Sequence, residues 1–243
     1  MCTVTFIPAG DTVFIAHNRD EKSLRSKAIA PNKYRVNGHT LLFPRDTQAG
    51  GSWIAVNANG AAAVLLNGAF VKHIQALPYR KSRGLVLLEI IASNDVLYCW
   101  QNIDLENIEP FTVVLWSRGQ LYEGRWDGQR KHTAMPDGFK AHTWSSVTLY
   151  DLTVRDRRRQ WFALWRQQCP QPALEDILQY HSLAGDGDPH NSLCMNRDNR
   201  MLTVSITGIQ LSPGQCRMEY RDLLNRTADS HHLAFTKQPL LQA

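Results

Sequence analysis

The second residue of the chain is a cysteine that directly follows the initiator methionine. A small residue in that position is one that methionine removal tolerates, and removal would give Cys2 a free α-amino group. The reference pKa of such an amine, about 7.7–8.0, lies close to ambient pH, so it can take the thiol proton without a separate histidine. Nucleophile and general base would then share one residue, as in the N-terminal threonine relatives of the catalytic triads. Position alone leaves a plainer reading open, in which Cys2 is a small buried hydrophobe. The tetrad Asn18-Arg19-Asp20-Glu21 bears on that choice, because it places four polar residues where an apolar run ends. An arginine within reach of the sulfur favours the thiolate, and a carboxylate can hold an α-ammonium in place.

The elements around these residues put them together. Cys2 to Ile7 and Thr12 to His17 are rich in β-branched and aromatic residues, and Pro8-Ala9-Gly10-Asp11 between them is turn chemistry, so they predict a hairpin. In that hairpin Cys2 pairs near the far end of the second strand, beside the tetrad. A second hairpin is expected from Ser52 to Val56 and Ala61 to Leu66 around Asn57-Ala58-Asn59-Gly60, after a bend at Gly50-Gly51. Ser82 to Ala92 reads as a capped helix, apolar nearly all round and therefore buried. Phe111 to Ser117 and Gln120 to Trp126 form a third strand pair, and Thr143 to Tyr150 reads as one more strand. Helices are expected over Thr153 to Gln168 and Ala173 to His181, and strands over Met201 to Leu211 and Cys216 to Arg221. Hairpin-linked strands separated by grouped helices imply stacked antiparallel sheets covered by helices, not alternating units of a parallel sheet.

Other candidate chemistries are weaker. Five cysteines, Cys2, Cys99, Cys169, Cys194 and Cys216, with no C-x-x-C pair among them, indicate neither a disulfide framework nor a structural zinc site. Asp186, Asp188, His190 and Cys194 share one loop, but their spacing fits no EF-hand or zinc pattern and Gly-Asp-Gly-Asp-Pro is a turn, so no metal or other cofactor is expected. Arginine outnumbers lysine 19 to 8 within a net charge of +5. The one dense cluster, Arg155, Arg157, Arg158 and Arg159, reads as the solvated face of a helix, and without an accompanying recognition motif it predicts no nucleic-acid partner. With 43% apolar and 20% charged residues the 243-residue chain is globular in composition, and one domain spanning 1–243 is the expectation. No apolar stretch approaches the roughly 20 residues that cross a bilayer, and the N-terminus lacks the pattern of a secretory signal, so a cytoplasmic location is expected.

Met1-Cys2-Thr3 and Asn18-Arg19-Asp20-Glu21 resemble the NRDE family, also called the transport and Golgi organisation family, which is named after that tetrad. Gly50-Gly51-Ser52-Trp53, Leu65-Leu66-Asn67, Trp144-Ser145-Ser146 and Thr203-Val204-Ser205 extend the likeness along the chain. The resemblance implies an α+β N-terminal nucleophile hydrolase fold, a four-layer αββα sandwich of two antiparallel sheets between helices, distantly similar to penicillin V acylases and choloylglycine hydrolases. It further implies cleavage of a linear amide by thiolate attack, through a thioester, with a small-molecule amide as substrate. Cys2 would be the nucleophile, Arg19 and Asp20 the thiolate-stabilising and amine-orienting groups, and Asn67 the oxyanion donor. Asn18, Glu21, Ser145 and Ser146 are expected to line the substrate. The acylases' Arg and Asp offsets from the cysteine fall here on Asn18 and Glu21, so the match is in residue type and not in register. Ser145-Ser146 stands where the acylases carry another asparagine. The alternative from a different class is a ligand carrier: eukaryotic family members are connected with haem trafficking, and a haem-like partner would draw on His17 or Cys2 as axial ligands.

Overall fold

A computed structural model describes residues 2–236. The first two strands, β1 (Cys2–Ala9) and β2 (Thr12–Lys22), form the expected hairpin, in which Cys2 lies opposite Arg19 and Thr3 opposite Asn18. Then follow β3 (Ile29–Val36), β4 (His39–Arg45), β5 (Ile54–Asn57) and β6 (Ala62–Asn67). Two helices come next, α1 (Arg83–Ile91) and α2 (Val96–Asn102), and after them β7 (Phe111–Ser117), β8 (Gln120–Trp126), β9 (Lys131–Ala134) and β10 (His142–Ser145). Helices α3 (Leu152–Gln168) and α4 (Leu174–Leu183) precede β11 (Asn196–Arg197), β12 (Met201–Ser212), β13 (Gln215–Asp222) and β14 (Thr227–Ala234).

The strands make two antiparallel sheets. One runs β10-β1-β2-β12-β13-β14, with β11 attached to β12, and the other runs β3-β4-β5-β6-β7-β8-β9. Side chains alternate across each strand, and this divides the core into three layers. Cys2, Val4, Phe6 and Ile15 of the first sheet meet Ile54, Val56, Val64 and Leu66 of the second between the sheets. Ile7, Phe14 and Ala16, on the other face, pack under Phe162 of α3 and Ile177 and Leu178 of α4. Leu41, Ala55, Ala63 and Val113 pack under α1 and α2 through Leu87, Ile91 and Trp100. The result is the four-layer αββα sandwich implied by the resemblance.

Two local expectations change, and a third holds. The strand expected over Thr143 to Tyr150 stops at Ser145, because Leu149 N and Tyr150 N both donate to Ser146 O and turn the chain toward α3. The arginine cluster is not wholly a solvated face. Arg158 is 1% exposed, and its guanidinium donates to Asn191 O at 3.1 Å, Ser192 O at 2.6 Å and the Thr3 hydroxyl. The Asp186 to Asp188 segment is a turn: Asp186 pairs with Arg157 at 3.0 Å, and Asp188 accepts from His190 N and Asn191 Nδ2.

Candidate active site

Cys2 opens β1, with its side chain in the layer between the sheets and only 4% of the residue exposed. What exposure remains faces a cleft of about 570 Å3 that Arg19, Glu21, Trp53, Asn67 and Arg83 also line. Three pieces of chain build the part of this cleft around Cys2. Strand β2 brings Arg19 and Glu21, two residues apart and hence on one face. The end of β6 brings Asn67. The third piece is a contact between two glycines: a Cβ on Gly51 would come within 2.3 Å of the Gly84 carbonyl carbon, and Ser52 N donates to Gly84 O at 3.2 Å. Only glycine permits that approach, which seats the first turn of α1, capped by Ser82, against the cleft with Arg83 in its wall.

The charges are ordered around Asp46. Its Oδ2 accepts from Arg19 at 2.6 Å and from Arg25 at 3.0 Å, while Oδ1 accepts from Gln48 N and Ala49 N. Burial alone would raise the Asp46 carboxyl, but the Arg25 hydrogen bond, the Ala49 amide and both guanidinium charges hold it below the usual carboxylate range. Arg19 also lies over the Trp53 ring, 4.2 Å from its centroid, so the plane of its guanidinium is fixed by stacking as well as by Asp46. Arg83 pairs with Glu109 at 3.0 Å, and Glu109 in turn binds His73 and Gln75 of the loop that walls the cleft. Burial lowers the Arg83 pKa, against the raising pull of Glu109 and Cys2.

The tetrad does not act as one patch. Arg19 and Glu21 face the cleft, whereas Asn18 and Asp20 face the layer under α3 and α4. Asn18, expected to touch substrate, is fully buried there: it donates to His181 O at 2.9 Å and Leu193 O at 2.8 Å, and its Oδ1 meets His181 Nδ1 at 2.5 Å. Asp20 is also fully buried and accepts from the Tyr150 hydroxyl at 2.6 Å and the Thr203 hydroxyl at 2.7 Å. Arg158 lies over the Tyr150 ring at 3.6 Å. Burial raises the Asp20 carboxyl; the Arg158 charge and the Tyr150 hydrogen bond pull it back down.

Burial pushes the Cys2 thiol up and Asp20 adds to this, while Arg19 pulls down by less. The expectation that Arg19 favours the thiolate is therefore outweighed by desolvation, partly because Asp46 neutralises the guanidinium. His17, on the same face as Cys2 and Arg19, is fully buried, and burial drives its pKa well below the normal histidine range.

Asn67 reaches the cleft from the second sheet, and its side-chain amide makes no hydrogen bond among the described residues. Its backbone carbonyl accepts from Ser146 Oγ at 2.8 Å, and Ser146 N donates to Cys2 O at 2.9 Å. Ser146 thus ties Asn67 to Cys2 across the seam between the sheets, without lining the cleft itself. Ser145 faces a separate, smaller cavity on the other side of Asn67. Of the residues expected at the site, Cys2, Arg19, Glu21 and Asn67 share the cleft; Asn18, Asp20, Ser145 and Ser146 surround it. Asp46, Trp53, Arg83, Tyr150 and Arg158 were not anticipated. Gly51 and Gly84 gave one usable signal, two glycines flanking segments whose close approach demands them.

Among the described residues no group of three or more His, Cys, Asp or Glu side chains is arranged to hold a metal ion, and no helix is long and apolar enough to cross a membrane.

Two antiparallel sheets between helical layers, with a cysteine opening the first strand at the cleft, are the architecture of N-terminal nucleophile hydrolases. A cysteine-to-alanine mutant of the conjugated bile acid hydrolase from Clostridium perfringens superposes with a TM-score of 0.63 at 11% identity, covering 95% of this chain and 92% of that one. An arginine-to-leucine variant of the same hydrolase gives 0.58 at 10% identity over 100% and 99% of the two chains. The Caenorhabditis elegans ortholog of N-acylethanolamine-hydrolyzing acid amidase gives 0.58 at 9% identity over 86% and 92%. No curated protein matches the chain in sequence. The family model "Transport and Golgi organisation 2" matches residues 1–163, so the chain belongs to that family.

Proposed function

We propose that the protein is a cysteine amidohydrolase that cleaves a linear amide carbon–nitrogen bond through Cys2. The observation that carries the reading is the position of Cys2: it opens the first strand, opposite Arg19, with its side chain at the wall of the 570 Å3 cleft that Asn67 also lines. The structural relatives support it in kind, since they are a hydrolase and an amidase by name. In this mechanism removal of Met1 frees the Cys2 amine, which takes the thiol proton; the thiolate adds to the substrate carbonyl, and Asn67 donates to the resulting oxyanion. Collapse breaks the C–N bond, the α-ammonium protonates the departing amine, and the acyl group stays on sulfur as a thioester. Water then adds with the α-amine as base, and the carboxylic acid leaves.

Burial opposes ionisation of the Cys2 thiol, so in this mechanism the α-amine has to supply the driving force for it. Asp20 serves the amine from the helix-covered face, and Arg19 fixes the cleft wall with Asp46 and Trp53. Haem carriage receives less support: an axial ligand has to present a free edge to iron, and His17 is fully buried.

The test is an amide with a chromogenic amine as leaving group, incubated with the purified chain and followed by intact mass. Expected are a mature chain that starts at Cys2, release of the amine, and a transient acyl adduct that disappears in Cys2→Ala. A chain that begins at Cys2 yet forms no adduct and releases no amine with any of a panel of acyl groups would overturn the assignment.

A further inference from the structure

On the far side of Asn67 from the cleft lies a second cavity of about 40 Å3, at the seam where β10 of one sheet meets β6 and β8 of the other. Arg125 of β8 and Arg155 and Arg159 of α3 line it, together with Ser145. The two helix arginines are four residues apart and so share one face. Arg125 is held by Glu123 at 2.7 Å, donates to the Ala69 carbonyl and lies over the Phe70 ring, which together fix the direction of its guanidinium. Arg159 has an exposed partner in Asp156, a kind of surface pair that contributes little. Arg155 has no carboxylate partner among the described residues; its one hydrogen bond, at 3.4 Å, is to the Asp151 carbonyl.

This arrangement is electrostatically unfavourable as it stands. The first turn of α3 contains no acidic residue, although the N-cap is Asp151. Cations in the opening turns of a helix are opposed by the positive end of its dipole. Desolvation lowers the Arg155 pKa, and the charges of Arg159 and Arg125 lower it further, against a smaller raising pull from Asp156 and Asp151, so the guanidinium groups are close enough to repel. An anion in the cavity would offset the repulsion among the guanidinium groups and the unfavourable dipole together.

We propose that this cavity is a second ligand site that binds a phosphate group between Arg125, Arg155 and Arg159. The size fits: one water needs about 10–15 Å3 on this scale, so 40 Å3 takes one small oxyanion. The chemistry fits as well, since three guanidinium forks from two elements match a tetrahedral group with several charged oxygens better than a planar carboxylate with two. Ser145 adds a hydroxyl at the cavity wall. The phosphate belongs either to the free ion or to a phosphomonoester whose remainder lies outside the cavity.

The experiment is calorimetric titration of the full chain with inorganic phosphate and, separately, with phenyl phosphate, at ionic strength held constant with sodium chloride. One-to-one saturable binding is expected. Arg155→Gln and Arg159→Gln should each weaken it at least tenfold, while Arg157→Gln, whose guanidinium pairs with Asp186 elsewhere, leaves it unchanged. Arg155→Gln removes a cation from the first turn of α3 and Arg159→Gln breaks only an exposed pair with Asp156, so neither thermal midpoint should fall appreciably. Tighter binding of phenyl phosphate assigns the site to a phosphomonoester, and tighter binding of inorganic phosphate assigns it to the free ion. Absence of saturable binding, or equal weakening by Arg157→Gln, overturns the proposal. Neither result depends on Cys2 chemistry.

Discussion

Replacing Arg158 with methionine should be the most damaging single change outside the cleft, and its size can be worked from the contacts. The guanidinium is 1% exposed and donates to Asn191 O, Ser192 O and the Thr3 hydroxyl. Each acceptor left without its donor costs about 1–3 kcal/mol. The substitution also removes the cation that steadies the fully buried Asp20, and stripping one member of a buried charge pair costs about 3–5 kcal/mol. Tyr150 lies between Arg158 and Asp20, so the Coulombic part is smaller than for a direct pair. A loss of about 4 kcal/mol is expected, or roughly 8–16 °C in thermal midpoint for a chain of this size. The electrostatic part carries a signature. Burial raises the Asp20 carboxyl, and without Arg158 it rises further, so the extra penalty builds up as pH climbs from the raised wild-type value towards the still higher value of the variant, both above the unfolded 3.8. Urea denaturation of wild type, Arg158→Met, Asp20→Asn and the double variant at pH 7.5 and 4.5 tests this. Arg158→Met should cost less in the Asp20→Asn background, and less at pH 4.5 than at pH 7.5. A loss below about 1 kcal/mol, or the same loss in both backgrounds, would refute the reasoning.

Under the proposed function, Asn67→Ala should lower the rate of amide cleavage by about 10²–10³-fold and leave the unfolding free energy within about 0.5 kcal/mol, because the side-chain amide bonds no described residue; steady-state rates and urea melts on the same sample check both. Gly51→Ala forces a Cβ to within 2.3 Å of Gly84 and should destabilise the fold by at least about 1–3 kcal/mol, seen as a lower thermal midpoint. Stability should also fall on acidification from about pH 6.5. His181 is pushed down to about 3 and His17 well below its usual range, both by burial, so the unfolded chain takes up protons that the folded chain refuses. Each histidine contributes at most about 1.4 kcal/mol per pH unit. Asp20, with its carboxyl raised by burial, works in the opposite sense but offsets only one of the two. Urea midpoints that stay flat between pH 7 and 5 would contradict this.

Most of the strands legible in the sequence were central ones, although the edge strand β10 was legible from Thr143 and the central strand β4 escaped notice. The pair Phe111–Ser117 and Gln120–Trp126 has the bounds its pattern predicts, and the cap at Ser82 begins α1. The strands that escaped notice include β3, β9 and β14, three sheet edges with polar sequences such as TADSHHLA. An edge strand needs fewer apolar residues, and polar ones there discourage pairing with another chain, so the alternation that reveals a strand is diluted. Buried Arg158 escaped for a related reason. Three arginines beside it lie on or near the surface, and nothing local distinguishes the one that points inward; its place is set by Thr3, Asn191 and Ser192, far away in sequence.

Under the proposed function, the same geometry lets four consecutive residues serve one nucleophile. A strand sends alternate side chains to opposite faces, so Asn18-Arg19-Asp20-Glu21 is two pairs and not one cluster. Arg19 and Glu21 shape the cleft with Asp46, while Asn18 and Asp20 are bonded beneath the helices to His181, Tyr150 and Thr203. Only a group in the plane of the sheet can be served from both faces, and a backbone nitrogen is such a group. Cys2 sits opposite Arg19 at the start of β1. Its sulfur belongs to the cleft, and its nitrogen lies in the strand plane between the cleft and the layer that holds Asp20. A nucleophile whose base is its own amine is therefore the kind that an alternating tetrad can support, with a cation on the sulfur's side of the sheet and a carboxylate on the other. A cysteine paired with a separate histidine would need both groups on one face, where the histidine present, His17, is sealed in the core.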